Sequence, residues 1–303
     1  MKRKIFAVVI TAVITVGLFL VWLLADEYKV VWLTFLIGSI ITIFIELFGE
    51  SVMSLFIRDK GWKGSLAILR KEKKISNETL IRISFAYLYR IKINGKFLLV
   101  KNGRNIKKYQ PIGGAYKCYP SEKDILIGRK YGVLDDDFIS IDETSKDDYR
   151  MRVPVKNLKR FVHRFNKTKL RENVEDLSRE FKEELVSTKI LAKKNFSEIQ
   201  YRFCGRHYTN IRYSIYNDCY ELLVADVVEF LPTKKQEQEL MKLQSLSSDK
   251  FIWATEDEIL TCGVKKATKN MTPTITDHSF KILPIKEAQL KGASNKIYIV
   301  TIS

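Results

Sequence analysis

Leu170 to Leu185, and within it Arg179-Glu180-Phe181-Lys182-Glu183-Glu184-Leu185, places Leu170, Val174, Leu177, Phe181 and Leu185 at steps of four, three, four and four. That spacing predicts one apolar stripe on a helix over residues 168–194. At about 100° per residue, Glu172, Asp176, Glu180, Glu183 and Glu184 fall on the other side. Glu175–Arg179 and Arg179–Glu183 are i,i+4 pairs that favour the helix modestly. Glutamates one turn apart gather carboxylates on one face. Such a face suits Mg²⁺, which takes oxygen ligands and bridges to a diphosphate.

Strand patterns lie on both sides of this stretch. Ile81, Ile83, Phe85, Tyr87 and Tyr89 alternate with Arg82, Ser84, Ala86 and Leu88. Asn94-Gly95 then separates Tyr89-Arg90-Ile91-Lys92-Ile93 from Lys96-Phe97-Leu98-Leu99-Val100-Lys101, a strong hairpin signal. Residues 115–165 read as irregular, with the acidic clusters Asp135-Asp136-Asp137 and Asp147-Asp148 expected in solvated loop. Strands resume at Glu198–Cys204, Arg212–Tyr216 and Tyr220–Phe230. Lys234–Leu243 reads as helix, and Phe251–Thr255 as a strand leading into a short helix from Glu256. Strands, an acidic helix, more strands and another helix imply an α+β fold, a mixed sandwich rather than a doubly wound sheet.

The N-terminus reads differently. Ile5 to Ala25 and Val30 to Phe48 are two apolar runs joined by Asp26-Glu27-Tyr28-Lys29. Each is long enough to span roughly 30 Å of hydrocarbon, and so short a connection makes them antiparallel neighbours. Lys2, Arg3 and Lys4 flank one end, and Arg58, Lys60 and Lys63 follow the other, which predicts both termini in the cytoplasm. The expected organisation is a transmembrane helical hairpin over 1–50, a basic juxtamembrane linker over 51–79 and one domain over 80–303. Residues 58–114 carry 15 basic and 3 acidic side chains, most of the chain's +17. That excess suits anionic lipid headgroups and an anionic ligand; no DNA or RNA motif is present, so a long nucleic acid is not the expected partner. Cys118, Cys204, Cys219 and Cys262 form no CxxC pair and read as reduced thiols. His163, His207 and His278 form no metal pattern. No GxSxG, P-loop or HExxH motif supports other chemistry.

Arg179-Glu180-Phe181-Lys182-Glu183-Glu184 resembles the REUxEE core of the Nudix box. Phe97-Leu98-Leu99-Val100-Lys101 resembles the first Nudix strand, and Tyr109-Gln110-Pro111-Ile112-Gly113-Gly114 the segment ending in a double glycine. Phe251-Ile252-Trp253-Ala254-Thr255-Glu256-Asp257-Glu258-Ile259 resembles the late tryptophan strand and its helix. The resemblance covers roughly Leu80 to Pro284. It implies a Nudix-like mixed-sheet α/β/α domain with a long insertion. It also implies a metal set of Glu180, Glu183 and Glu184, if the Nudix site is retained, with Mg²⁺ as the ion. The departures are specific. Gly114 and Arg179 are 65 positions apart, where the box Gly-x5-Glu-x7-REUxEE-x-Gly has 14. Arg171 stands at the upstream Glu position, with Glu172 and Glu175 as the nearest carboxylates, and Val186 at the final Gly. These departures argue against a hydrolase, so no catalytic residue and no required cofactor is assigned.

The membrane hairpin followed by a basic Nudix-like domain resembles the two-transmembrane, SMODS-associated Nudix effectors of bacterial cyclic-oligonucleotide-based antiphage signalling systems (CBASS). That resemblance implies a cyclic di- or trinucleotide messenger, homo-oligomerisation and disruption of the inner membrane. The alternative is a membrane-tethered, Mg²⁺-dependent Nudix hydrolase of nucleoside diphosphate derivatives. A cyclic-nucleotide sensor needs cations for phosphates and flat side chains for bases. The candidates are Tyr87, Arg90, Arg104 and Tyr109 near the double glycine, and Arg202, Arg206, His207, Tyr208 and Arg212 in the later strands.

Overall fold

A computed structural model describes residues 61–103, 107–128, 130–136, 145–264, 273–284, 290–294 and 296–302. The chain divides into two compact units, Met1–Lys74 and Ile75–Ser303. The expected membrane hairpin over residues 1–50 lies outside the described residues. Among the described residues no helix is long and apolar enough to cross a membrane. In the first unit, Gly61–Lys71 forms helix α1, with Trp62, Gly64 and Leu66 buried.

The second unit is built around β1 (Leu80–Arg90). Ile81, Ile83, Phe85, Tyr87 and Tyr89 are all fully buried on one side of it. β1 pairs in parallel with β10 (Cys219–Phe230) and antiparallel with β5 (Gly113–Ala115) and β7 (Arg150–Pro154). β10 pairs antiparallel with β8 (Glu198–Tyr208) and β9 (Arg212–Ser214). β6 (Leu134–Asp135) borders β7, and β12 (Ile297–Thr301) borders β8. The order β12-β8-β10-β1-β7-β6 completes this mixed sheet. A smaller antiparallel sheet joins β2 (Lys92–Ile93), β3 (Lys96–Lys101), β4 (Tyr109–Gln110) and β11 (Phe251–Ala254).

The two sheets meet through one apolar cluster. Leu88 and Ala225 of the large sheet pack with Phe97, Leu99 and Ala254 of the small one, and with Ile275, Ile282 and Leu283. The β2–β3 turn has φ of 48° at Asn94 and 79° at Gly95, the two positive values that a type I′ turn demands. Thr233 and Thr255 each close a capping box at the start of α5 (Lys234–Gln244) and α6 (Glu256–Leu260). The mixed α/β sandwich expected from the element order is present.

Two local expectations are corrected. Residues 115–165 are not irregular: they contain α2 (Pro120–Ile127), β7 and α3 (Val155–Lys167). α3 buries Val155, Leu158, Phe161, Val162 and Phe165, and its rings stack on β1, with Phe85 and Phe165 centroids 3.6 Å apart. The helix expected over 168–194 is reduced to α4 (Ser178–Phe181) and a π turn at Lys182–Val186. Upstream of it, tertiary partners take the backbone groups that a helix would use. Arg171 bridges Cys118, and Glu172 N–H donates to the Lys117 carbonyl at 2.9 Å. Leu177 N–H donates to Tyr201 Oη and its carbonyl accepts from Tyr89 Oη, both at 3.0 Å. The Arg171 guanidinium is drawn inward as well, 3.8 Å from the Phe165 ring centroid. Periodicity loses to these contacts because an N–H that donates to a distant partner is no longer free for the carbonyl one turn back.

Candidate functional site

The double glycine and α4 form one polar cluster beside the buried face of β1. Gly113 has φ of 141°, and an added Cβ would strike the Tyr87 carbonyl, so only glycine fits where β5 crosses β1. A Cβ on Gly114 would overlap the Glu180 carboxylate. The two glycines therefore make room for the acidic helix at close range.

Arg179 organises the acids. Its Nε and Nη2 donate to Glu172 Oε1 and Oε2 at 3.2 and 3.1 Å, and its Nη1 donates to Glu180 Oε1 at 2.6 Å. Nη1 also lies 3.5 Å from Glu183 Oε2, and Nη2 donates to the Ala115 carbonyl at 2.8 Å. Tyr87 Oη donates to Glu172 Oε1 at 3.0 Å. Of the two carboxylates near the missing box position, the fold uses Glu172; Glu175 instead meets Lys296, 3.1 Å away on the surface.

Glu184 is held separately. Its Oε2 accepts from Gly113 N–H at 2.8 Å and its Oε1 from Gln110 Nε2 at 3.4 Å. Burial raises its carboxyl to about 8, with the Glu180 charge adding and the Gly113 N–H opposing. Burial also raises Glu180, against the pull of Arg179. Among the described residues, no three His, Cys, Asp or Glu side chains are placed to hold a metal ion. The donor set gives the reason: Glu180 and Glu183 already face a guanidinium, and Glu184 already receives a backbone donor. No chemistry is routed through a divalent cation here.

The eight described ligand candidates do not converge. Arg104 lies outside the described residues. Tyr87 is buried within the cluster above. Arg90 is buried, its Nε donating to the Ile282 carbonyl at 2.5 Å. Tyr109 Oη donates to the Asp249 carbonyl at 3.1 Å. Arg202 pairs with Glu229 at 2.6 Å, and Arg206 with both oxygens of Asp226 at 2.5 and 2.7 Å. Tyr208 is half-buried opposite Val224. His207 and Arg212 do share a side. They pair with Ala225 and Glu221, which alternate onto one face of β10. Arg206 falls on the opposite face. A separate cavity of about 490 Å³ opens beyond the π turn, lined by Leu191, Phe196 and Leu243 with Lys189, Lys193 and Lys242.

Sequence reasoning found Glu180 and Glu184 through their motif. It missed Arg179 as the hub and the buried Lys281 (5% exposed) entirely, because one lysine in Asp277-His278-Ser279-Phe280-Lys281 carries no local signal.

A family model described as the SMODS-associated NUDIX domain matches residues 80–283, about two thirds of the chain. No curated protein and no solved structure matches.

Proposed function

This chain belongs to the SMODS-associated NUDIX domain family, and on that premise we propose that it is a membrane effector of bacterial cyclic-oligonucleotide-based antiphage signalling. In this reading the Nudix-like domain binds a cyclic di- or trinucleotide in the cytoplasm. Binding drives copies to assemble. Residues 1–50 form a two-pass hairpin in the inner membrane, and gathered hairpins breach the bilayer. One hairpin encloses no path for ions, so assembly is the step that the messenger must control.

The observation that favours sensing over cutting is the broken box: Arg171 and Val186 stand at its upstream Glu and final Gly, and 65 positions separate Gly114 from Arg179. The charge balance agrees: a +17 chain suits both an anionic messenger and anionic lipid.

The test uses the full chain in liposomes loaded with a fluorescent dye. Dye release on adding a cyclic di- or trinucleotide, and none with the linear nucleotide, is the expected result. Silence across a full cyclic panel would remove the reading. Mg²⁺-dependent turnover of a nucleoside diphosphate derivative, lost in Glu184→Ala, would replace it with a hydrolase.

A further inference from the structure

The turn between β9 and β10, residues 215–218, carries two large apolar side chains in solvent: Ile215 is 91% and Tyr216 95% exposed. The turn is fastened from within. Asn217 N–H and Nδ2 both donate to Ser214 Oγ at 3.3 Å, and Nδ2 also reaches Glu221 Oε2 at 3.1 Å. Tyr213 Oη donates to Asp218, and the Tyr213 and Tyr220 rings meet edge-on with centres 5.3 Å apart. An apolar knob held in this way loses little conformational freedom when it docks. Asp218, itself exposed, puts a negative charge beside it.

The cavity of about 490 Å³ beyond the π turn has the complementary character. After the π turn the chain folds back, Leu191 N–H donating to the Leu185 carbonyl at 2.9 Å, and enters the 3₁₀ turn Lys193–Asn195. This loop and α5 line the cavity together. Leu191, Phe196 and Leu243 are buried in its floor, while Lys189 and Lys193 are exposed. Lys242 lines it too, engaged with Glu239 at 3.3 Å. Three lysines against one glutamate leave the lining positive. The volume lies in the range of pockets that take a small molecule, room for one tyrosine and one isoleucine side chain.

Knob and cavity sit at opposite ends of β10. The turn immediately precedes Cys219, and Phe196 of the cavity floor meets Phe230 with ring centres 6.3 Å apart. The strand's 12 residues, at about 3.4 Å each, hold the two ends roughly 37 Å apart. The knob of one copy therefore cannot fill its own cavity. We propose that the knob of Ile215 and Tyr216 seats in the lysine-lined cavity of a second copy, with its apolar side chains on the apolar floor and Asp218 towards the lysines. Two different surfaces meet in this contact, so it repeats head to tail and generates a row or a ring instead of stopping at a pair. It is the assembly contact that the effector reading calls for, and its purpose rests on that reading. A small contact suffices there, because copies tethered in one bilayer meet at a raised effective concentration.

The experiment is disulfide trapping between two forms of the full chain in detergent, Tyr216→Cys in one and Ala192→Cys in the other. Both positions are exposed, and Ala192 lines the cavity. The two are mixed under mild oxidation, with and without a panel of cyclic di- and trinucleotides. The expected product is a linked dimer holding one of each. Its yield is at least tenfold above that of either protein alone or of wild type with its native cysteines. A chain bearing both substitutions gives a ladder of linked copies. Adding Ile215→Glu to the first protein, or Lys189→Glu with Lys193→Glu to the second, cuts the yield at least tenfold; all three side chains are exposed, so these changes spare the fold. No mixed dimer above background in any condition overturns the proposal. So does Tyr216→Cys linking to itself at the yield of the mixture, which makes the contact tip to tip. A Tyr216→Cys thiol shielded from a water-soluble maleimide by liposomes, with no mixed dimer, gives the knob to lipid and overturns it as well. Mixed dimer that no cyclic nucleotide changes keeps the contact and removes the sensor. Dye release by a cyclic nucleotide that survives Ile215→Glu keeps the sensor and overturns the contact.

Discussion

Arg179 and Glu172 face each other through two parallel hydrogen bonds, Nε to Oε1 at 3.2 Å and Nη2 to Oε2 at 3.1 Å. This fork joins α4 to the end of the long insertion, and the same guanidinium reaches the Ala115 carbonyl of β5. Three parts of the chain are thereby fastened at one side chain. Arg179→Ala leaves the half-buried Glu172 and Glu180 without their cation. The expected loss is about 3–5 kcal/mol of unfolding free energy. Arg179→Lys recovers little of it, because an ammonium cannot reproduce the fork. Urea denaturation of both variants checks this.

Glu122 is the corresponding anchor inside the insertion. It is fully buried and receives Arg164 Nε and Nη2 at 2.7 and 2.6 Å, Thr168 Oγ1 at 2.9 Å and Tyr149 Oη at 3.0 Å. Four donors on one carboxylate tie α2 to Tyr149, just before β7, and to α3 and its end. Glu122→Ala is expected to lose about 3–5 kcal/mol. Hydrogen exchange should then quicken first in α2 and α3, while β3 and β11 keep their protection.

Gly114→Ala tests the crowding at the double glycine. The added methyl occupies the place of the Glu180 carboxylate, so that carboxylate must leave Arg179. Overpacking of this kind costs about 1–3 kcal/mol. Arg179→Ala and Gly114→Ala act on the same contact, so their combined loss should fall short of the sum.

Glu184 makes stability depend on pH. Its carboxyl stands near 4.5 when unfolded and about 8 in the fold, so between these values the folded chain holds the extra proton. Its stabilising contribution is full below about 4.5 and is lost as pH rises towards and through about 8. Glu184→Gln keeps an acceptor for Gly113 N–H and removes the titration. In chelator-containing buffer, Tm should fall between pH 5 and about 8 in wild type more than in Glu184→Gln. Parallel pH profiles of the two proteins would remove this account.

The site and the fold were legible wherever a signal is local. Asn94-Gly95 sets its own turn by the φ values that it tolerates. Thr233 and Thr255 cap their helices through side chains three residues apart. Glu180 and Glu184 were legible by spacing on one helix. Residues 168–177 were not, because Tyr89, Tyr201 and Lys117 come from elsewhere in the chain to claim their backbone groups. α3 went unread although its apolar face is regular, since the acidic runs around it made the whole insertion look like loop.

Taken alone, the amino-acid order determined the strand pattern of β1, the hairpin, the capped helices, the excess of positive charge and the acids of the Nudix-like helix, all consequences of neighbours within about one turn or one strand. Tertiary structure decided which charge meets which: that Arg179 takes Glu172 and not Glu175, and that Arg206 goes to Asp226. Ion pairing depends on distance and burial in space, and neither is set until sheets and insertion have packed.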